Sequence, residues 1–220
     1  MFEGQSPENY EQKCLCVLVV DVSSSMAGEP LDQLNIGLQK FQEEVAMDFT
    51  ASQRLEISLI SFGSSVQCIQ EPSLVSNFKM PILTANGTTK LVEAMRLAMD
   101  LSENRKKWYK STGQKYFRPM IVLITDGEPD SDQDMYGLAN EIKDFTNGKK
   151  AIFWTIGVKN YNHAKLAQIT PPDAPPRPLA GLAFSEFFKW LSDSMGAIVN
   201  SKEGQILALP PTNGWSQIQM

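Results

Sequence analysis

Residues 14–26 read CLCVLVVDVSSSM, and the break at Asp21 decides the fold. From Cys14 to Val20 the side chains are apolar without alternation. That suits a central parallel strand covered on both faces, not a strand with one wet side. An acid and three serines then follow where such a strand must emerge. Asp21, Ser23 and Ser25 alternate, so in an extended loop all three can face one point, and each presents oxygen.

Working outward, the chain alternates between strand and helix patterns. Leu31, Leu34, Leu38, Phe41 and Val45 keep helical spacing, and RLEISLISF (54–62) reads as a second strand. VQCIQ can fold back on it as an antiparallel edge after the turn GSS. A turn-rich loop runs to Gly87, and a helix from Lys90 to about Lys110 buries Leu91, Met95, Ala98 and Leu101. PMIVLITDGEP (119–129) is another apolar strand ending in an acid, Asp126. The following helix, capped at Ser131 or Asp132, carries Leu138, Ile142 and Phe145 and stops at Gly148.

AIFWTIGV (151–158) is the next strand, followed by a short helix around 162–169. PPDAPPRP (171–178) has five prolines in eight residues and must be a rigid connector. Ser185 caps the last amphipathic helix. The order predicts a doubly wound, mostly parallel α/β sheet with one antiparallel edge strand and helices on both faces. One domain is expected over 1–203, with an irregular tail over 204–220. Ligands of such sheets lie beyond the carboxyl ends of the strands, where Asp21 and Asp126 converge.

The 220 residues are 42% hydrophobic and 20% charged, with net charge -5, an ordinary globule with no general pull toward nucleic acid or anionic membrane. MFEGQSPENYEQK carries acids where an export signal needs a basic region, and the apolar run after it is far too short for a membrane span. A cytoplasmic location is the expectation, and the N-x-T sequon at Asn86 then carries no meaning. Cys14 and Cys16 share one face of a buried strand and read as core thiols. His163 is the sole histidine, so no histidine pair exists for a metal.

Oxygen donors without thiolate or imidazole suit a hard cation: Mg²⁺, Mn²⁺ or Ca²⁺. Each feature also has a plainer reading. Asp21 and its serines can form an Asx or ST turn, Asp126-Gly127 is a common turn dipeptide, and Thr88-Thr89 can cap the next helix. RKKWYKSTGQKYFR (105–118) interleaves six basic residues with four aromatics, which makes nucleic-acid binding a competing function. Metal-dependent phosphohydrolysis is the enzymatic competitor. The sequence has no phosphate-binding glycine loop, no nucleophile elbow and no general base beyond the candidate ligands.

DVSSSM, NGTTKLVEAM and LITDGEPD, in this order and spacing, resemble the von Willebrand factor A domain and its metal-ion-dependent adhesion site. The "GEP" after the serines, "TDGEP" and the ending LPPTNGW further resemble the stand-alone bacterial TerY-type proteins of tellurium-resistance clusters. The resemblance implies metal ligands Asp21, Ser23, Ser25, Thr89 and Asp126, with Thr88 as the alternative threonine. Ser24 and Val92 stand where the family commonly has glycine. It further implies a non-enzymatic module whose cation takes an Asp or Glu from a partner protein. A protein kinase and a metal-dependent Ser/Thr phosphatase are the implied partners.

Overall fold

Strand β1 (Cys14–Asp21) occupies the middle of a six-stranded sheet ordered β3-β2-β1-β4-β5-β6. The structure is a computed structural model and describes residues 6–126, 129–159, 161–201, 209–212 and 215–216. The other strands are β2 (Leu55–Phe62), β3 (Val66–Leu74), β4 (Met120–Thr125), β5 (Ile152–Gly157) and the short β6 (Arg177–Pro178). All neighbours are parallel except β2 and β3.

The unbroken apolar run of β1 has its physical cause in two helical layers. Cys14, Cys16, Leu18 and Val20 face α1 (Glu29–Met47), α2 (Phe49–Arg54) and α6 (Phe184–Val199). Leu15, Val17 and Val19 face α3 (Leu91–Ser111), α4 (Met135–Asn147) and α5 (His163–Ile169). Neither face can tolerate a polar side chain, so alternation is absent. Cys14 and Cys16 are free and buried, and burial pushes the Cys14 thiol up to about 12 and Cys16 in the same direction. They are inert packing groups.

Several boundaries differ from the sequence reading. α4 begins later, at Met135, because residues 130–133 are engaged elsewhere. Its cap is Asp134, which accepts the Gly137 N–H at 2.8 Å, not Ser131 or Asp132. The last helix starts at Phe184 behind Ala183, and Ser185 instead accepts Lys40 Nζ at 3.2 Å. α2 has no counterpart in the sequence reading; Asp48 caps it through the Ala51 N–H. The proline-rich connector contributes Arg177–Pro178 as β6, which proline permits because the strand lies at the sheet edge.

The basic-aromatic stretch 105–118 does not form an open binding face. Arg105, Lys106, Trp108 and Tyr109 are buried. Arg105 makes two hydrogen bonds to Glu56, at 2.8 and 2.7 Å, and lies 3.9 Å over the Trp108 ring. The Tyr109 hydroxyl donates to the same carboxylate at 2.6 Å, and its ring stacks on Tyr116. Burial and the Glu56 charge hold the Tyr109 phenol well above its ordinary range. The aromatics that would stack on bases are thus part of the core, leaving Lys107, Lys110, Lys115 and Arg118 exposed.

The described part of the C-terminal segment is irregular but docked. Trp215 is buried against Phe187 and Trp190, Pro210 accepts the Trp190 indole N–H, and Leu179 bridges to Ser216. Among the described residues no helix is long and apolar enough to cross a membrane.

Two stability outcomes follow from these contacts. Arg105→Ala strands a buried carboxylate and should lose about 3–5 kcal/mol in urea unfolding, whereas Lys90→Ala, which breaks an exposed pair with Glu93, should lose under about 1 kcal/mol. Trp215→Ala should cost about 3–5 kcal/mol in the same assay, since it empties an aromatic cluster. Wild-type stability of the Trp215 variant would show that the segment is a dispensable appendage.

Candidate metal centre

The parallel register of β1 on β4 pairs Val20 with Ile124, so Asp21 and Thr125 leave the sheet side by side. Asp21 is fully buried. Its Oδ1 accepts the Ser23 N–H at 2.8 Å and its Oδ2 accepts the Thr125 hydroxyl at 2.6 Å. The Asx turn of the plainer reading therefore exists, and it is what aims the serines. Ser23 and Ser25 oppose their Oγ atoms at 3.0 Å, Ser23 buried and Ser25 exposed. The loop is not extended beyond Ser23, because Ser24–Met26 form a 3-10 turn. Both Asp21 oxygens are engaged at the base of this loop, one by the Ser23 N–H and one by the Thr125 hydroxyl.

The second loop arrives through backbone contacts. Ser24 N–H donates to the Gly87 carbonyl at 2.9 Å, and Asn86 N–H donates to the Val22 carbonyl at 2.6 Å. This approach requires glycine: a Cβ on Gly63 would lie 2.1 Å from the Asn86 carbonyl oxygen, and one on Gly87 would lie 1.7 Å from Ser64 Oγ. Thr89 is buried and Thr88 exposed. Neither threonine caps α3, whose N-cap is Lys90 with no side-chain cap.

Thr89 is held from the β4 side. Its N–H donates to Asp130 Oδ1 at 3.2 Å, and its carbonyl accepts the Asp130 N–H and the Gln133 side-chain amide. Gln133 also accepts the Val92 N–H at 2.8 Å, satisfying an otherwise orphaned donor in the first turn of α3. Ser24 and Val92 are both tied into this frame through their backbone N–H groups, to the Gly87 carbonyl and to Gln133. Thr125, Asp130 and Gln133 are positioning residues that the sequence reading missed. Only the nearness of Asp130 and Gln133 to the TDGEP motif could have pointed to them. Gly127 and Glu128 of that motif lie outside the described residues.

Asp126 is buried, and its Oδ1 has no hydrogen-bond partner among the described residues. Burial pushes Asp21 up to about 6; hydrogen bonds from Ser23 and Thr125 pull it down, and the neighbouring Asp126 charge raises it further. Two buried acids, Asp21 and Asp126, therefore lie close together at the rim. Among the described residues no three His, Cys, Asp or Glu side chains form a ligand cluster. Any ion here must take hydroxyl oxygens, a set that fits a hard cation and not zinc or copper. Lys159, in left-handed backbone geometry, reaches the serine loop, and its Nζ donates to the Ser25 carbonyl at 2.8 Å. Beside the rim lies a cavity of about 170 Å³ whose lining, including Val22, Ile69, Ile82 and Leu83, carries no charge.

The sequence profile of the von Willebrand factor type A domain matches residues 16–185. Similar folds occur in VWA2, an ArnB paralog from Sulfolobus acidocaldarius (17% identity, TM-score 0.56, covering 83% of this chain and 45% of that one). They also occur in the open pilus adhesin SpaC from Lactobacillus rhamnosus GG (14%, 0.66, 86% and 31%) and in BatB from Bacteroides thetaiotaomicron (14%, 0.55, 83% and 98%). This chain thus spans less than half of the first two proteins and nearly all of the third, and at such identities the likeness is one of fold. No curated protein sequence matches. The profile covers most of the chain and includes the strands and loops that build the rim, so the chain belongs to the von Willebrand factor type A domain family.

Proposed function

We propose that this chain is a non-enzymatic interaction module that binds an Asp or Glu of a partner protein through a divalent cation. Mg²⁺ is the fitting ion, with Mn²⁺ or Ca²⁺ as alternatives. Ser23, Ser25 and Thr89 would supply hydroxyl ligands, with Asp21 and Asp126 behind them. The observation that carries this reading is the buried Asp126 oxygen, without a partner among the described residues and close enough to Asp21 for their charges to interact, on the rim that also holds the paired serine hydroxyls. Leaving such an oxygen unsatisfied costs about 1–3 kcal/mol, which a cation would offset. When bound, the ion supplies a Lewis-acidic point whose charge the neutral hydroxyls leave largely uncompensated, and so attracts an external carboxylate.

The chain's own residues set the geometry. Asp21 orients the Ser23 backbone, Asp130 and Gln133 fix Thr89, and Gly63 lets the two loops meet. Turnover is not part of the proposal: the sequence offers no general base beyond the candidate ligands, and its sole histidine, His163, is an exposed residue of α5. By resemblance we place the chain in the cytoplasm, in a TerY-type stress or tellurite-resistance system. Its partners there would be a protein kinase and a metal-dependent Ser/Thr phosphatase.

Titration with Mn²⁺ should raise the unfolding free energy of the wild type, by about 2.7 kcal/mol at a hundredfold excess over the dissociation constant. Ser23→Ala, Ser25→Ala and Asp126→Ala should each remove that gain while unfolding cooperatively, and Gly63→Ala should remove it by pushing the Asn86 loop away. An undiminished Mn²⁺ response in the Ser23→Ala, Ser25→Ala double variant would overturn the site.

Co-precipitation from the host in Mg²⁺ and in EDTA tests the partner. EDTA, Ser23→Ala and replacement of the partner's essential Asp or Glu by its amide should abolish the same complex, and the losses should not add. A complex that survives EDTA would refute carboxylate capture through the ion.

A further inference from the structure

A second recess lies at the opposite end of the sheet from the candidate metal centre. It is a groove of about 760 Å³ between the C-terminal halves of α4 and α5, closed by residues 170–173 and by Arg118 before β4. Arg118, Lys143 and Lys149 line it and are exposed, and among the described residues Asp173 is the one acid in its lining. Among the described residues none of these three cations is in an ion pair. A local excess of positive charge on a chain of net charge -5 calls for an explanation.

Helix capping does not supply one. The terminal carbonyls of α4 are taken by backbone donors: Gly148 N–H to Asp144 at 3.0 Å, Lys149 N–H to Thr146 at 2.9 Å and Lys150 N–H to Phe145 at 3.0 Å. The lysine side chains are therefore not needed there. Between the cations the walls are aliphatic, from Ala139, Ala167, Pro171 and Pro172, while Asn140 and Gln168 present side-chain amides. Amides of this kind bond readily to peptide backbone.

We propose that this groove binds an acidic, partly aliphatic segment of a partner protein. Charge complementarity selects the acidic residues, and the alanine and proline walls accept the apolar side chains between them. A nucleic acid would match less well. The lining has no aromatic ring on which a base could stack, and a tracked phosphate backbone calls for a longer run of cations than three. The groove is independent of the metal site and lies far across the sheet from it, so the chain could hold two partners at once.

The test uses the full chain and a short fluorescent peptide alternating Glu with Leu, followed by polarisation in EDTA. The wild type should bind it, and binding should weaken as NaCl rises, because the contacts are solvent-exposed ion pairs. Lys143→Glu with Lys149→Glu should weaken binding roughly tenfold or more. Asn140→Trp, which fills the groove without changing charge, should weaken it as well, and Ser23→Ala should leave it unchanged. Asn140, Lys143 and Lys149 are exposed, so folding of the groove variants is retained, and circular dichroism checks it for all four substitutions. Absence of wild-type binding, equal binding by the charge-reversed variant, or tighter binding of a single-stranded oligonucleotide that the same variants abolish would each overturn the proposal.

Discussion

Burial of β1 on both faces is the constraint on which the remaining structure depends. Cys14 to Val20 can be dry only if a helical layer covers each side, which calls for parallel neighbours and crossover helices. The same burial lifts Asp21 to the rim at the carboxyl end of the sheet, level with Thr125 of β4. The loop chemistry begins where the apolar run must stop.

At that rim a hydrogen-bonded frame precedes any ligand. Both Asp21 oxygens are engaged, by the Ser23 N–H and the Thr125 hydroxyl. Thr89 is tied through its backbone to Asp130 and Gln133, so its position does not depend on its own hydroxyl. In the proposed site the hydroxyl oxygens would be the ones left for an ion, with the carboxylates as background charge. A site with so little first-contact negative charge is suited to hold a third party's acid, which is why the proposal is adhesion and not hydrolysis.

The molecule also has a second polar feature, at the other end. Glu56 with Arg105 and Tyr109 forms a buried network where β2 begins, and it withdraws side chains that sequence alone would place on a nucleic-acid surface. Basic residues in a helical run are ambiguous because their burial depends on whether a carboxylate waits across the sheet. Here one does for Arg105, and none of the described acids does so for the cations of the α4–α5 groove.

The layered α/β architecture was legible in the amino-acid pattern, because apolar runs and helical periods are local consequences of two-sided and one-sided burial. The sequence also determined Asp21, Ser23, Ser25, Thr89 and Asp126 as the loop residues to watch, through spacing at strand ends and resemblance to a family. Only the packed sheet brings the Thr125 hydroxyl of a neighbouring strand onto Asp21. Tertiary structure placed Asp130 and Gln133 against Thr89, a contact more than forty residues apart in the chain. It also docked Trp215 on Phe187 and Trp190, where no periodicity could have announced it. The physical reason is common to all three: side chains that pair across elements obey distance in space, whereas pattern in a sequence reports only which face of an element is dry.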